Sequence, residues 1–311
     1  GSCAGGEGPA PAGRSLVSSG GMDALFECFV PTSKDKRTTI LPAHRDAVCE
    51  SCRKSMVTHS KKQSGFTLLH EAAFQGHMEC LHKLLKTSGL DIDAGDQVGA
   101  TALQWTALKG FKDCTELLLR SGARLDAASN SGMTPLHFAA SAGNTDIIET
   151  MTAAGADPNV ACSGGLITQI GPYSSAAGTT ALHLASKGGR AACVTQLLRL
   201  GADPVRRDAD GWQPHHLAAY GGHVEILQAL LDGGAHVDAV TYGGNTALQW
   251  STKGGFTACT RLLLDRGADA GLANAEGWTP VHRAARWGSM DCLPLLLERC
   301  GRDGARARTL D

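Results

Sequence analysis

Small and medium apolar side chains alternate with polar ones in a short phrase, Thr-Pro-Leu-His-Phe-Ala-Ala at residues 134–140. Thr134 can accept a hydrogen bond from the free N–H groups at a helix start, and Pro135 suits the first helical position. Leu136 and the two alanines that follow place small apolar groups where a second helix can approach closely. The phrase predicts a short helix that begins here and packs against a neighbouring helix.

The phrase occurs seven times with small changes, and its fourth residue serves as a marker for each copy. Successive markers are 33 or 34 residues apart, except for one step of 46. The markers are His70, Gln104, His137, His183, His216, Gln249 and His282. A fixed period of this length is typical of stacked units, none of which can bury its apolar face alone.

The motif, its period and the glycines at fixed offsets resemble the ankyrin repeat family over about residues 64–301. The resemblance implies an all-α ankyrin solenoid, in which helix–turn–helix repeats are joined by β-hairpin fingers. Copies two and six depart from the phrase in the same way, with Gln104-Trp105 and Gln249-Trp250, which we interpret as a trace of duplication without chemical meaning. His215 replaces the Leu of the phrase. We expect these departures to weaken the local fit without changing the period.

Composition divides the chain into four segments. Residues 1–21 are rich in Gly, Ser, Ala and Pro, a composition that predicts a disordered leader, and the opening Gly-Ser is typical of an expression-vector remnant. Residues 22–63 form a basic segment that we expect to dock on the first repeat. Residues 64–301 form the repeat domain, with a finger insertion at about 161–178, and residues 302–311 are expected to fray.

The insertion contains no charged residue, but it includes Leu166, Ile167 and Tyr173. A long exposed loop of this composition would leave apolar surface in water. We therefore expect it either to fold back on the array or to contact a partner.

Charge and hydropathy exclude several classes of protein. The formal net charge is −1, so no global bias favours nucleic acid, although residues 34–62 hold eight basic and three acidic residues and leave 21 basic and 27 acidic residues elsewhere. No run of eighteen apolar residues predicts a membrane-spanning helix. We expect a protein that is monomeric by itself and acts in the cytoplasm, with the nucleus as the alternative.

The cysteines follow the repeat. Five of the eleven lie four residues after the glycine that separates the two helices, a position that is Ile in other copies. They are Cys80, Cys114, Cys193, Cys259 and Cys292. A position that alternates between Cys and Ile predicts a buried apolar site in a reducing compartment.

A metal site is considered and not favoured by the sequence. Cys49 and Cys52 form one Cys-x2-Cys pair, flanked by His44 and His59, with Cys28 as a more distant candidate ligand. A single pair is a weak motif, and ankyrin-like arrays need no metal. The adjacent His215 and His216 with His223 also suggest ligands, but two of the three stand where the family uses His structurally.

No catalytic motif is found. The sequence lacks a Gly-x4-Gly-Lys-Ser/Thr phosphate loop and a dinucleotide-binding fingerprint. We therefore expect no enzymatic activity and no cofactor.

The resemblance implies that a partner protein or peptide binds on the concave face and the fingers. The residue before the Thr of the phrase and the residue after its Ala-Ala pair are expected there, and several are large or aromatic, as binding hot spots often are. The candidate partner-binding residues are Phe66, Phe74, Leu108, Met133, Leu166, Ile167, Tyr173, Trp212, Tyr220, Trp278, Arg286 and Trp287.

The favoured function is a scaffold or adaptor that binds another protein. Two alternatives remain open: a regulatory ankyrin portion of a larger enzyme, channel or ubiquitin-ligase assembly, and a zinc-binding leader module that the repeats target. For Trp212 and Trp278, bracing of adjacent fingers is the alternative to partner binding.

Overall fold

The computed structural model describes residues 47–54, 65–164 and 177–307, with side chains as far as residue 301. Besides a helical turn at 50–54, these ranges contain seven pairs of α-helices. The first helices of the pairs are α1 Leu68–Gln75, α3 Ala102–Lys109, α5 Pro135–Ala142, α7 Ala181–Lys187, α9 Pro214–Gly221, α11 Ala247–Lys253 and α13 Pro280–Trp287. The second helices are α2 Met78–Leu85, α4 Lys112–Arg120, α6 Thr145–Ala153, α8 Ala191–Arg199, α10 Val224–Asp232, α12 Thr257–Asp265 and α14 Leu293–Ala307.

The pairs stack into two helical layers. Each first helix packs on the first helices of adjacent repeats, and the second helices form a parallel outer row. The Leu of the phrase is buried in successive repeats, as at Leu103, Leu136 and Leu182. The five cysteines in the second-helix register are also buried, as predicted, and none of the nine cysteines among the described residues is in a disulfide.

A threonine–histidine pair caps the first helix in the first, third, fourth and seventh repeats, and in the first three of these the histidine also contacts the next repeat. In the third repeat the backbone N–H of Thr134 donates to His137 Nδ1 at 3.1 Å, and the Thr134 hydroxyl lies 2.8 Å from the same nitrogen. His137 Nε2 lies 3.2 Å from the Thr179 carbonyl oxygen at the base of the next finger. The imidazole therefore caps its own helix and fixes the following repeat.

Glutamine performs both tasks in the second repeat. Gln104 Oε1 accepts the N–H of Thr101 at 2.8 Å, and Gln104 Nε2 donates to the carbonyls of Ala127 and Met133, each at 2.8 Å. Gln249 repeats this arrangement in the sixth repeat. The expected weakening is therefore wrong for these two positions, because a neutral amide supplies the same acceptor and donor as the histidine.

The fingers are tight turns that stack closely. The backbone N–H of Ser129 donates to the Met133 carbonyl at 3.0 Å and closes one finger. Gly132 in that finger has φ +74°, and a Cβ there would lie 2.5 Å from the backbone nitrogen of Ser163 in the next finger. Only glycine fits both the left-handed backbone and this approach. In the described residues the fingers contain isolated β-bridges, at Ala161–Thr180 and Val240–Thr246.

The insertion leaves the base of its finger intact. The N–H of Cys162 donates to the Thr179 carbonyl at 2.8 Å, and the N–H of Gly178 donates to the Cys162 carbonyl at 2.9 Å. These bonds match the closure of the shorter fingers. Leu166, Ile167 and Tyr173 lie outside the described residues.

Both ends of the array differ from its interior. Val48 and Cys52 are buried in the common core, so part of the basic segment docks on the first repeat. At the other end, α14 begins only at Leu293, which places Pro294 in its first turn, where a missing N–H is tolerated. The helix continues to Ala307, in a stretch where Ala and Arg favour helix, and the fraying of the tail from 302 stays a prediction.

Candidate functional site

An aromatic cluster lies between the first and second repeats. The ring centroid of Trp105 lies 6.0 Å from that of Phe66 and 5.5 Å from that of Phe74, both in edge-to-face geometry. Lys109 Nζ stands 4.1 Å from the centroid of the Phe74 ring, as in a cation–π contact. The cluster therefore combines apolar packing with a positive charge on one side.

A sister cluster lies between the fifth and sixth repeats. Trp212 stacks on Trp250 with centroids 4.5 Å apart and an interplanar angle of 27°. Tyr220 meets Trp212 edge-on at 6.2 Å and Trp250 at 5.8 Å, and Lys253 Nζ stands 5.4 Å from the Trp250 centroid. The three aromatic positions are thus the same in both clusters, whereas the lysines differ: Lys109 is five residues after Gln104 and lies over Phe74, and Lys253 is four residues after Gln249 and lies over Trp250.

The seventh repeat extends the second cluster. Lys253 Nζ lies 4.9 Å from the centroid of Trp287, a residue that is 54% exposed. The guanidinium of Arg283 lies 5.0 Å from the Trp250 centroid, and that of Arg286 lies 5.3 Å from the Trp278 centroid. Trp250 itself is only 5% exposed and lies beneath these side chains. We call the accessible residues of this extended set the aromatic–cation surface: Tyr220, Lys253, Trp278, Arg283, Arg286 and Trp287.

The structure corrects the expected exposure of several candidates. Phe66, Leu108, Met133 and Trp212 are buried, and Trp212 keeps only 4% of its surface exposed. Phe66, Met133 and Trp212 stand just before the residue that caps the first helix and lie between adjacent repeats, where the neighbouring repeat covers them. Leu108 stands at the other expected position, after the phrase, and is buried as well. Trp212 stacks on Trp250 of the next repeat, and the alternative that it braces adjacent fingers stays a prediction.

The remaining described candidates keep accessible surface. Phe74, Tyr220 and Trp278 are half-buried, and Arg286 and Trp287 are exposed. The structure brings Tyr220 close to Trp250, and Trp278 close to Arg286. Phe74 belongs to the other cluster, at the opposite end of the array.

Sequence reasoning missed Trp105, Trp250 and Arg283. The two tryptophans follow the Gln of the divergent phrase, and that Gln-Trp pair was the available signal. The pair has a structural role beyond a trace of duplication, because each tryptophan is the centre of a cluster. Arg283 had no comparable signal.

Two cations on the surface are partly withdrawn from water. Burial lowers the pKa of Lys253, and the nearby Arg283 lowers it further. Burial likewise lowers the pKa of Arg283, whose guanidinium donates to Asn245 Oδ1 at 2.6 Å. Among the ion pairs of the described residues, none involves Lys253 or Arg283. An anionic group placed between them would therefore gain favourable electrostatic energy.

One group of potential metal ligands occurs among the described residues: Cys49, Cys52, His77 and Cys80. The N–H of Cys52 lowers the pKa of the Cys49 thiol to about 7, whereas burial raises the pKa of the Cys52 thiol. Cys28, His44 and His59, the other candidates, lie outside the described residues. His77 and Cys80 were not identified as ligands, although their His-x2-Cys spacing was visible.

The histidine group of the fifth repeat is structural. His216 Nε2 lies 2.7 Å from the Ala239 carbonyl oxygen, and His223 Nε2 lies 3.3 Å from that of Lys187. His215 is fully buried, and neither of its ring nitrogens has a hydrogen-bond partner in the described part of the chain. These contacts show that His216 and His223 serve the packing between repeats.

The repeated helix pairs, caps and fingers define a stacked helical-repeat protein of the kind that binds other proteins. The sequence matches the family description "Ankyrin repeats (3 copies)" over residues 69–162, 165–241 and 234–307, and the chain belongs to the ankyrin repeat family. Ankyrin repeats are protein–protein interaction modules and are typically non-enzymatic.

A solved structure supports the same fold. The chain is similar to the crystal structure of the human ASB11 ankyrin repeat domain, with a TM-score of 0.63 and 26% identity over 74% of this chain and 96% of that chain. No curated protein matches the sequence significantly. Within the described ranges, no helix combines the length and the apolar character needed to cross a membrane.

Proposed function

We propose that the chain is a scaffold or adaptor that holds an acidic segment of a partner protein on the aromatic–cation surface. The observation that supports this proposal is the position of Lys253, between the Trp250 and Trp287 rings and without an ion pair among the described residues. The aromatic faces offer apolar contact, and the cations offer charge.

Geometry favours an extended segment over a compact ligand. The surface spans three consecutive first helices, from Tyr220 in α9 to Trp287 in α13. Trp, Tyr and Arg are the residue types that contribute most to protein interfaces when they are truncated. A segment with alternating carboxylates and apolar side chains would therefore match the alternation of charge and ring along this surface.

The same surface binds the partner segment if the chain is part of a larger assembly. If the array is a regulatory portion of a larger enzyme, channel or ubiquitin-ligase assembly, it holds the target of that assembly in the same way. The proposal concerns the chemistry of the bound segment and applies to both cases.

The test uses fluorescently labelled synthetic peptides with alternating acidic and apolar residues, paired with versions in which Asp and Glu are replaced by Asn and Gln. Binding is measured by fluorescence polarisation at two salt concentrations. We expect the acidic peptides to bind more tightly and to weaken as salt rises, because exposed charges are screened.

Matched charge reversals locate the binding surface. Lys253→Glu should weaken the binding of an acidic peptide at least tenfold, or about 1.4 kcal/mol. Lys112→Glu changes an exposed lysine on the outer helix α4 and should leave binding unchanged. Equal affinities for acidic and amide peptides, or equal losses in the two variants, would contradict the proposal.

A further inference from the structure

Two pairs of potential ligands converge at the first repeat, far along the chain from the aromatic–cation surface. Cys49 and Cys52 belong to the helical turn at 50–54 and the residue before it, and His77 and Cys80 stand at the start of α2. Their four ligand atoms all lie within 4.8 Å of one another. Two pairs, each separated by two residues, thus meet from segments that are 25 or more residues apart in sequence.

The distances are close to those of a tetrahedral zinc site. Cys52 Sγ lies 4.0 Å from Cys80 Sγ, and His77 Nδ1 lies 2.9 Å from Cys52 Sγ and 3.4 Å from Cys49 Sγ. Zinc at about 2.3 Å from sulfur and about 2.0 Å from nitrogen gives ligand separations of roughly 3.5–3.8 Å. Adjustments of about 1 Å or less would complete the tetrahedron.

We propose that Cys49, Cys52, His77 and Cys80 bind one structural Zn²⁺ that fastens the segment 47–54 to the first repeat. Binding displaces the protons of the three thiols, and His77 coordinates through neutral Nδ1. Three thiolates and Zn²⁺ leave the closed site with one negative charge, and all four positions are filled by protein ligands, as in structural zinc sites.

Backbone hydrogen bonds already point at the sulfurs. The N–H of Cys52 donates to Cys49 Sγ at 3.5 Å, and the N–H of Cys49 donates to Cys80 Sγ at 3.3 Å. Such outer contacts orient ligands and stabilise their charged form. The second bond also runs between the two segments, so the backbone of the turn is aligned with the thiol of α2.

The place of the site in the array explains what the metal would do. The residue before the second helix contacts the preceding repeat in later copies: Asn144 Nδ2 donates to the Ala107 carbonyl at 2.7 Å, and His223 Nε2 lies 3.3 Å from the Lys187 carbonyl. His77 stands at the same position, and it contacts the two cysteines of segment 47–54. This segment therefore takes the place of a preceding repeat, and the zinc supplies the attachment.

Packing alone does not account for the cluster. Cys80 shares its register with four other buried cysteines, including Cys114, and with Ile147 and Ile226. Only around Cys80, among the described residues, do two further thiols and an imidazole converge. The register therefore offers a matched pair of substitutions, Cys80→Ile and Cys114→Ile, both of which install a residue that the register accepts.

The test measures metal in the full chain, purified under reducing conditions and dialysed against metal-free buffer. Elemental analysis should find about one zinc per chain in the wild type and in Cys114→Ile. Cys80→Ile should bind at least tenfold more weakly and lose most of its zinc, as should Cys49→Ser, which alters an exposed ligand and leaves the core intact.

Co²⁺ is the second probe. Added to the reduced, metal-free wild type, it should give the visible absorption of tetrahedral cobalt together with thiolate charge-transfer bands, and Zn²⁺ should displace it. Removal of zinc by a chelator should lower the melting temperature of the wild type and leave that of Cys80→Ile unchanged. A reduced wild type that binds neither Zn²⁺ nor Co²⁺ stoichiometrically, or a Cys114→Ile variant that loses metal as Cys80→Ile does, would overturn the proposal.

Discussion

Acid sensitivity of the array should arise from the capping histidines, and glutamine should remove it. His137, His183 and His216 each accept a backbone N–H at Nδ1, at 3.0–3.2 Å, and each has a carbonyl oxygen of the following repeat near Nε2. Protonation at Nδ1 would replace the acceptor with a donor. Glutamine cannot be protonated in this range, and Gln104 already makes both contacts.

The size of the stability loss in acid follows from the pKa shifts of these histidines. Burial lowers the pKa of His137, His183 and His216 from 6.5 to about 4. Between these values the unfolded chain binds more protons than the folded one, so the free energy of unfolding falls as the pH drops below about 6.5. At pH 5 each histidine should contribute a loss of about 2 kcal/mol, and the full loss of about 3 kcal/mol is reached below pH 4.

The assay is urea unfolding, followed by circular dichroism, at pH 7.5 and pH 5. His137→Gln should match the wild type at pH 7.5 and lose about 2 kcal/mol less at pH 5, and the triple variant with His183→Gln and His216→Gln should lose about 6 kcal/mol less. Gln104→His is the reciprocal control and should add acid sensitivity. If the wild type and the triple variant lose equal stability between the two pH values, the assignment of the titrating groups is refuted.

Three further outcomes can be measured. His215→Leu restores the residue of the phrase and removes a buried imidazole without hydrogen-bond partners among the described residues, so chemical unfolding should show a gain of about 1–3 kcal/mol. Trp212→Ala should lower the free energy of unfolding by about 3–5 kcal/mol because it removes the ring stacked on Trp250, whereas Trp287→Ala should change it by less than about 0.5 kcal/mol. Deletion of residues 164–176 restores the common 33-residue spacing, and thermal melts should show that the array still folds cooperatively.

The sequence was sufficient to predict the architecture. The phrase at 134–140 and its period predicted the helix pairs, because each copy contains its own cap, its own apolar face and its own terminal glycine. The burial of Cys114 and of the other cysteines in its register followed from their alternation with Ile. All these features are local to one repeat, so each of the seven copies supports the same prediction.

The candidate site was harder to predict from the sequence, because it depends on which repeat covers which residue. Trp212 was expected to be exposed from its position in the phrase, but the ring that covers it, Trp250, comes from the next repeat. Cys80 resembled an ordinary buried cysteine, and only the structure places it beside Cys49 and Cys52. Such contacts join positions that lie about one repeat apart, and periodicity does not report which side chains meet there.

Each repeat reaches in both directions, and this determines where function can lie. His137 contacts the repeat that follows, and Asn144 contacts the repeat that precedes. An interior repeat therefore has little freedom to change either contact without loss of stacking, since stability depends on nearest neighbours. Departures from the repeat pattern are tolerated where another segment replaces the neighbouring repeat, as segment 47–54 does before the first repeat. They are also tolerated where side chains lie outside the stacking contacts, as at Trp287. Cys80→Ile and Lys253→Glu alter these two places separately and leave the phrase itself unchanged, so each effect can be assigned to its own site.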